Sequence, residues 1–215
     1  MPWHSIERAR YDHEYRRFNS ESTKDGYLPM KGGELWSYLV KIMLKEKNRH
    51  NHVMLDVGCG PGFSMHIAKH FGLKLYGIDI ASEAAWLWKD NGVEDRAVAA
   101  FADSIPFKDN TFDFITCLDV MEHIPEEGVI PSFLEMRRVL KESGALKLCI
   151  GLYPAEIKMS DGSEPHVCIK PHGWWIEQIK EANLKIAHPP RVSRLLPPDP
   201  NAQLDATQLD VTVRG

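Results

Sequence analysis

The sequence predicts an α/β protein with a doubly wound, mostly parallel sheet. Two observations predict this class: short apolar runs alternate with segments of helical periodicity, and the first apolar run ends at a glycine-rich segment, 58–62. Strands and helices that alternate at this spacing form a parallel sheet with helices on both faces. A composition of 43% hydrophobic and 26% charged residues over 215 residues fits one globular domain with an appendage.

Apolar runs predict the strands, and periodicity predicts the helices. Five runs are predicted as parallel strands, at 53–57, 74–80, 97–103, 112–119 and 145–152. Helices are predicted at 33–47, 62–71, 81–92, 130–141 and 172–182; Ser82 or the preceding turn caps the third, and the fourth ends near Ser143 and Gly144. Two further β segments are predicted at 184–192 and 208–214. We expect an N-terminal helical extension, 1–50, and a second domain, 51–215.

The cysteines and the net charge exclude several kinds of protein. The four cysteines, Cys59, Cys117, Cys149 and Cys168, form no CxxC pair, which argues against a zinc ribbon or a disulfide framework and fits a reducing compartment. The sequence shows no apolar leader and no run of about 20 apolar residues, so we expect a cytoplasmic protein without a membrane span. The net charge of -4 argues against a nucleic-acid partner, although the first fifty residues are mildly basic.

The glycine segment after the first strand is the strongest motif. Gly58, Gly60 and Gly62 stand at alternate positions, so the chain can turn sharply and a ligand can lie against bare backbone. This G-x-G-x-G spacing differs from the G-x-G-x-x-G fingerprint of dinucleotide-binding oxidoreductases. Asp56, near the end of the same strand, can orient the loop or meet a cationic group.

Two further carboxylates end the next two predicted strands. Asp79 can accept hydrogen bonds from both hydroxyls of a ribose, as the acidic residue of nucleotide-binding βαβ units does. Asp103 ends the third predicted strand and can accept a hydrogen bond from an exocyclic amine. The carboxyl ends of parallel strands meet at one edge of the sheet, where such sheets bind their ligands. We therefore expect these groups at a common site.

These motifs occur in the order and at the spacing of a known family. The segments LDVGCGPG (55–62), YGIDI (76–80), ADSIPFKDNTFDFITC (102–117), MEHI (121–124) and RRVLKESGALKL (138–148) resemble those of class I S-adenosylmethionine-dependent methyltransferases of the broad small-molecule type. The resemblance is close over residues 50–152 and looser beyond them. It implies a seven-stranded sheet whose last strand, 208–214, runs antiparallel. The family often places a lid over the cofactor in the N-terminal extension, so we expect the aromatic residues there either to cover the site or only to pack the first helix.

The resemblance further implies a site for S-adenosyl-L-methionine and its product S-adenosyl-L-homocysteine. Its first group of residues is the glycine loop with its acidic residue, namely Asp56, Gly58, Cys59, Gly60 and Gly62. Asp79 would bind the ribose diol, with Ile80 against the adenine. Asp103 and Ser104 would lie at the adenine amine, and Cys117 and Leu118 would flank the methionine part.

Methyl transfer to a hydroxyl also needs a base, because the sulfonium is already activated and the acceptor must lose its proton. Histidine titrates near neutrality and suits this role. His123 follows the fourth predicted strand, and His166 and His172 follow the fifth. We predict His123 and His166, with Glu122, as the catalytic residues. Of the adjacent Trp174 and Trp175, we expect one to wall the acceptor pocket and the other to pack in the core.

The pattern D-x-x-E-H suggests a second role for the same region. Asp119, Glu122 and His123 stand one helical turn apart, and with His166 they offer carboxylates and imidazoles to a divalent cation. This is similar to the E-x-x-E-H pattern with a distal histidine in small-RNA 2′-O-methyltransferases and metal-assisted ubiquinone-pathway O-methyltransferases. Asp119 is shorter than the glutamate of that pattern, so we favour catalysis without a metal.

The sequence therefore predicts a methyltransferase that acts on an oxygen, or with less support a nitrogen, of a small polar acceptor such as a sugar or natural product. One alternative is an RNA 2′-O-methyltransferase with metal assistance, which the D-x-x-E-H pattern favours and the net charge disfavours. Another is a non-catalytic module that only binds the cofactor. Turnover of the cofactor with any acceptor separates the enzymes from the module.

Overall fold

A computed structural model describes residues 2–20, 52–155, 157–187, 191–193 and 208–214. The helix predicted at 33–47 lies outside these residues. The chain divides into two compact units, Met1–Phe101 and Ala102–Gly215. Among the residues described, no helix is long and apolar enough to cross a membrane.

The first unit contains a parallel three-stranded sheet with β2 in the middle. Its elements are α1 (Pro2–Ser20), β1 (Val53–Val57), α2 (Phe63–His70), β2 (Lys74–Asp79), a 3₁₀ helix (Ser82–Ala84), α3 (Ala85–Asp90) and β3 (Ala97–Ala99). β1 pairs with β2 from Val53 opposite Lys74 to Val57 opposite Ile78, and β3 pairs with the other edge of β2. The carboxyl ends of β1 and β2 therefore lie side by side, which places the glycine loop next to Asp79.

The second unit contains a mixed sheet built around β5. Its elements are β4 (Phe112–Leu118), a 3₁₀ helix (Met121–His123), α4 (Glu126–Val139), β5 (Leu140–Gly151), α5 (His172–Glu181), β6 (Lys185–Ile186), β7 (Arg191–Ser193) and β8 (Gln208–Arg214). β4 runs parallel to β5, whereas β8 runs antiparallel to β5 from Ala145 opposite Arg214 to Gly151 opposite Gln208. The two short strands β6 and β7 pair with β8.

The strands and helices differ from the prediction in extent more than in kind. The strand predicted at 97–103 ends at Ala99, and Asp103 lies in a turn. The segment 184–192, predicted as one strand, holds β6 and the start of β7, so the described residues contain three strands in the first unit and five in the second, one more than the seven expected. The helix predicted at 81–92 starts as a 3₁₀ turn and ends at Asp90.

The largest difference lies at Gly144, which was predicted to end a helix and instead lies within β5. α4 ends at Val139, and β5 begins at the next residue. The register then shifts, because Phe112 pairs with Leu140 while Phe114 pairs with Ala145. A Cβ on Gly144 would lie 2.7 Å from Leu140 Cδ1, so the absence of a side chain permits this β-bulge. A glycine signals both a helix stop and a bulge, and the sequence alone did not distinguish them.

Candidate active site

The glycine loop of the first unit is built from left-handed backbone that favours glycine. Gly58, Gly60 and Gly62 have φ angles of 75°, 52° and 84°. The N–H groups of Gly58 and Cys59 both donate to the carbonyl of Ile78, at 2.8 and 2.9 Å. The loop is thereby fixed to β2 by backbone hydrogen bonds. A Cβ on Gly62 would also lie 2.8 Å from Val93 Cγ2, so this position excludes larger residues by space as well as by conformation.

Asp79 ends β2 and is 8% exposed. Its Oδ2 accepts a hydrogen bond from the N–H of Gly60 at 2.8 Å, and its Oδ1 accepts one from the N–H of Ala81 at 2.9 Å. Burial raises the pKa of Asp79 to about 6, while these two N–H groups act in the opposite direction. Each carboxylate oxygen has a second acceptor position, so the group remains able to bind hydroxyls.

Asp56, next to the glycine loop, and Cys59, within it, both have perturbed or hydrogen-bonded polar groups. Asp56 is buried, and its Oδ2 accepts a short hydrogen bond from the hydroxyl of Ser64 in the first turn of α2. Burial raises the pKa of the Cys59 thiol well above its ordinary value, and the nearby carboxylates of Asp79 and Asp56 raise it further. The thiol is therefore protonated at neutral pH. These contacts indicate that both side chains shape the loop.

Gly77, in the middle of β2, was not singled out in the sequence. A Cβ at this position would lie 2.7 Å from both Cβ and Sγ of Cys59 and 2.8 Å from Met65 Cε. The glycine loop packs directly onto β2 there. The sequence contained a signal, since glycine inside a strand often marks close approach of another segment.

The N-terminal helix contacts the turn that follows Asp79. Arg8 Nε donates to the carbonyl of Ile80 at 3.0 Å. The carboxylate of Asp12 accepts hydrogen bonds from the hydroxyl of Ser82 and, at 3.0 Å, from the N–H of Glu83. Ser82 or the preceding turn was expected to cap this helix, but the hydroxyl of Ser82 donates to Asp12, which serves as the cap. No local pattern predicts a cap that lies about seventy positions earlier in the chain.

In the second unit, the residues expected near the adenine and the methionine lie at two places. Asp103 is half-buried and Ser104 is exposed, both in the connection before β4. Cys117 and Leu118 are buried in the last two positions of β4. The neighbouring Ile105 is held on both sides, because its N–H donates to Glu135 Oε2 and its carbonyl accepts from Arg138 Nη2, each at 2.8 Å. Glu135 and Arg138, which form an ion pair at 2.6 Å on α4, thus tie the connection to that helix.

Glu122, His123 and His166 form one cluster. Their potential ligand atoms all lie within 4.8 Å of one another. Glu122 is 1% exposed; its Oε1 accepts a hydrogen bond from the N–H of Gly151 at 2.8 Å, and its Oε2 has no hydrogen-bond partner among the residues that the structure describes. Burial raises the pKa of Glu122 well above its usual range, and the charge of Asp119 adds to this effect.

The two imidazoles of the cluster are oriented by backbone carbonyls. His123 Nδ1 lies 3.0 Å from the carbonyl oxygen of Pro165, and His166 Nδ1 lies 2.6 Å from that of Tyr153. Because a carbonyl only accepts, these contacts assign the proton to Nδ1 of each ring and leave the lone pair on Nε2. The rings are nearly perpendicular, with centroids 4.7 Å apart. Each Nε2 can therefore accept a proton or bind a cation.

Of the other residues near this cluster in the sequence, Asp119 and His172 are exposed, and Tyr153 lies next to His166. Asp119 is exposed and has a left-handed φ of 53°; the potential ligand atoms within 4.8 Å of one another belong to Glu122, His123 and His166, and a common site that includes Asp119 stays a prediction. The chain turns at Asp119 before the 3₁₀ helix begins, which removes the helical spacing assumed for it. His172 is exposed at the first position of α5. Tyr153, which the sequence did not single out, has its ring centroid 5.8 Å from that of His166.

The two tryptophans of α5 have different surroundings. Trp175 is fully buried, whereas Trp174 is half-buried, with the ammonium of Lys170 5.2 Å from its ring centroid. Trp175 is thus the core residue of the pair, as expected for one of them. A role of Trp174 in an acceptor pocket remains a prediction.

Comparison with known proteins identifies the domain that contains these residues. Residues 55–148 match a family model described as a methyltransferase domain. Residues 55–148 therefore form a methyltransferase domain. The matched segment includes the glycine loop, Asp79, Asp103, Glu122 and His123. The family predicted from the sequence, its α/β fold class and its cofactor class are thereby confirmed.

Individual relatives support the same family and differ in their acceptors. Over 100 residues the chain is 31% identical to a ubiquinone biosynthesis O-methyltransferase of Xanthomonas oryzae pv. oryzae. This match covers 44% of this chain and 41% of the relative. Over 81 residues the chain is 33% identical to norajmaline N-methyltransferase of Rauvolfia serpentina. This match covers 34% of this chain and 28% of the relative. The curated matches span about half the relatives' length or less, from 28% to 51%.

Solved structures share the fold of this methyltransferase domain. A TehB-like S-adenosylmethionine-dependent methyltransferase from Corynebacterium glutamicum matches with a TM-score of 0.62 and 19% identity, covering 100% of this chain and 99% of the other. At this identity the match shows the fold alone.

Proposed function

We propose that this chain transfers a methyl group from S-adenosylmethionine to an oxygen, or with less support a nitrogen, of a small polar acceptor such as a sugar or natural product. The observation that carries the proposal is the cluster of Glu122, His123 and His166, in which both histidines present an Nε2 lone pair. Such a group accepts the proton that a hydroxyl loses on methylation. Oxygen is favoured because a hydroxyl has more need of a base than an amine.

The first unit fits the cofactor's nucleoside. Asp79 has acceptor capacity left on both oxygens, and a pKa of about 6 keeps it ionised at neutral pH. We propose that Asp79 accepts both ribose hydroxyls, that Ile80 lies against the adenine, and that the loop from Gly58 to Gly62 holds the rest of the nucleoside against its backbone. The bound cofactor supplies an activated methyl group on a sulfonium, so the protein needs only to position the acceptor and remove its proton.

In the second unit, His123 is the proposed base and His166 its partner. The Nδ1–H of each ring is held by a carbonyl, so neither imidazole has to reorient to accept a proton on Nε2. Glu122 lies beside them with one oxygen bound to Gly151. Its raised pKa favours the protonated acid, which can donate a hydrogen bond from Oε2 to an acceptor oxygen. Asp103, Ser104, Cys117 and Leu118 stay proposed cofactor residues on the strength of the family motifs.

A metal-assisted version of the same transfer is the second candidate, and one observation favours it. Within the described part of the chain, Glu122 Oε2 is buried without a hydrogen-bond partner, and metal-binding histidines characteristically donate their other ring N–H to a carbonyl, as His123 and His166 do here. A divalent cation would be held by Glu122, His123 and His166 and would lower the pKa of an acceptor hydroxyl. The alternative of an RNA 2′-O-methyltransferase belongs with this version. The cluster itself offers three protein ligands, and catalysis without a metal stays our proposal.

Two experiments test the proposal and separate its versions. Incubation of the full chain with isotope-labelled S-adenosylmethionine and pools of small acceptors, followed by mass spectrometry, should yield a methylated product and S-adenosylhomocysteine. Binding of the cofactor without turnover on any pool or on RNA would instead support a non-catalytic module. Turnover should persist in excess chelator; loss of turnover that Mg²⁺ or Mn²⁺ restores would favour the metal-assisted version.

A further inference from the structure

The contact between α1 and the turn after β2 has no role in the transfer as proposed above. Arg8 and Asp12 stand one helical turn apart on α1 and both reach this turn. Arg8 Nε binds the carbonyl of Ile80 at 3.0 Å, and Asp12 accepts from the hydroxyl of Ser82 and the N–H of Glu83. Asp12 is itself buried, which strengthens its hydrogen bonds relative to those of a solvated carboxylate.

Asp12 satisfies a need that the local sequence leaves open. The first N–H groups of a helix lack partners within the helix. The 3₁₀ helix Ser82–Ala84 follows Ala81, which has no side-chain acceptor, and no local side chain caps it. Asp12 supplies the missing acceptor from α1. The conformation of this turn therefore depends on a residue of the N-terminal helix.

The same turn holds the carboxylate proposed to bind the ribose. The N–H of Ala81 donates to Asp79 Oδ1, so the rotamer of Asp79 is coupled to the position of Ala81. Ala81 lies between Ile80, whose carbonyl Arg8 binds, and Ser82, whose hydroxyl Asp12 binds. From Asp79 to Glu83, the backbone is thus held from one side by the glycine loop and from the other by α1.

We infer that Asp12 and Arg8 are positioning residues for Asp79, so that affinity for the cofactor's ribose depends on the docking of α1. This inference rests on the proposed function. By thermodynamic reciprocity, a cofactor that binds better when α1 is docked must also stabilise the docked helix. The N-terminal helix then acts on the cofactor site through the turn after β2.

Other contacts of α1 allow Asp12 to be changed without releasing the helix. Trp3 and Tyr15 are buried, the His4 ring stacks on Phe101 at 3.9 Å, and the Arg8 guanidinium lies 4.3 Å from the centroid of the same ring. Apolar and aromatic packing thus holds α1 in place. The hydrogen bonds of Asp12 set the finer position of the turn.

The first test measures the affinity of the full chain for S-adenosylhomocysteine by calorimetry in matched variants. Asp12→Ala should raise Kd by about five- to tenfold, the equivalent of one lost cap. Asp12→Asn should restore Kd to within about threefold of the wild type, because asparagine caps helices as well as aspartate does. The exposed Asp95→Asn is the control for the loss of a charge in the same unit and should leave Kd unchanged.

The second test uses the wild type and does not depend on any variant folding. Hydrogen exchange measured by mass spectrometry should slow across residues 2–20 when S-adenosylhomocysteine binds. Two results would overturn the inference and leave the proposed function intact. In the first, Asp12→Ala binds S-adenosylhomocysteine as well as the wild type does; in the second, the wild type binds it but exchange in α1 is unchanged. A wild type that binds no S-adenosylhomocysteine overturns the proposed function and the inference with it.

Discussion

Two buried carboxylates, Asp79 of the first unit and Glu122 of the second, differ in how the protein satisfies them. Both lie beside the carboxyl end of a strand, and burial raises the pKa of both. Asp79 receives a backbone N–H on each oxygen, whereas the described residues give Glu122 one hydrogen bond on Oε1 and none on Oε2. An unsatisfied buried oxygen costs free energy, so it persists where a partner arrives from outside the fold. We therefore interpret Asp79 as a binding group that the fold already holds in position, and Glu122 as a group whose Oε2 binds a reactant or an ion.

The same contrast extends to the neighbours of each carboxylate. Around Asp79, β1, the glycine loop and α1 place the protonated thiol of Cys59 and the carboxylates of Asp56 and Asp12. Around Glu122, two imidazoles present Nε2 lone pairs. We therefore expect changes in the first unit to act on cofactor affinity and changes in the cluster to act on turnover.

The largest expected effect is on turnover. If His123 removes the acceptor's proton, His123→Ala should lower turnover by about 10²–10⁴-fold, the usual worth of a general base. Calorimetry should show unchanged affinity for S-adenosylhomocysteine, and the exposed His70→Ala serves as the control. Full turnover in His123→Ala with the true acceptor would move the base to His166, His172 or Tyr153.

The next effect is on affinity. Asp79→Ala removes two charge-assisted hydrogen bonds to the ribose, each worth about 1.5–3 kcal/mol, and leaves the N–H groups of Gly60 and Ala81 without their acceptor. Affinity for S-adenosylhomocysteine should fall at least about tenfold. Calorimetry measures this fall, with Asp95→Ala as the control. Unchanged affinity in Asp79→Ala would contradict the assignment of the ribose to Asp79 and the contrast drawn between the two carboxylates.

How far the sequence predicted these two regions follows from the range of the contacts that build them. The glycine loop and Asp79 are adjacent to strands in the sequence, so a motif of a few residues was enough to find them. His166 lies forty-three positions after His123, and only the chemistry of its residue type suggested the pairing. The cap from Asp12, the bulge at Gly144 and the turn at Asp119 depend on tertiary contacts or backbone angles. Local patterns do not carry that information.

A third effect is on stability and tests how tightly the first unit is packed. Gly77→Ala would place a Cβ 2.7 Å from Cys59 Cβ, which belongs to the glycine loop and cannot move without it. The free energy of unfolding should fall by about 1–3 kcal/mol, as for overpacking in a core. Thermal or urea unfolding measures it. Gly173→Ala is the control, since apart from its chain neighbours and its own helix backbone no described heavy atom lies within 4 Å of its Cβ position. Equal stability of the two variants would contradict the packing of the loop on β2.

The smallest effect is on the pH dependence of binding, and it follows from the pKa of Asp79. With that pKa at about 6, Asp79 gains a proton as the pH falls through 6, and the protonated acid is the poorer acceptor for two hydroxyls. Affinity for S-adenosylhomocysteine should therefore fall roughly fourfold between pH 7.5 and 5.5.

The free energy of unfolding should respond to pH with the opposite sign. The folded pKa exceeds the usual value of 3.8, so the folded state binds the proton more tightly than the unfolded chain. The contribution of Asp79 to stability then rises as the pH falls from above 6 towards 4. Weaker binding together with undiminished stability distinguishes this titration from acid unfolding. Asp79→Asn, which cannot titrate, should flatten the binding profile, and a fall of the same size in that variant would assign the pH dependence to another group.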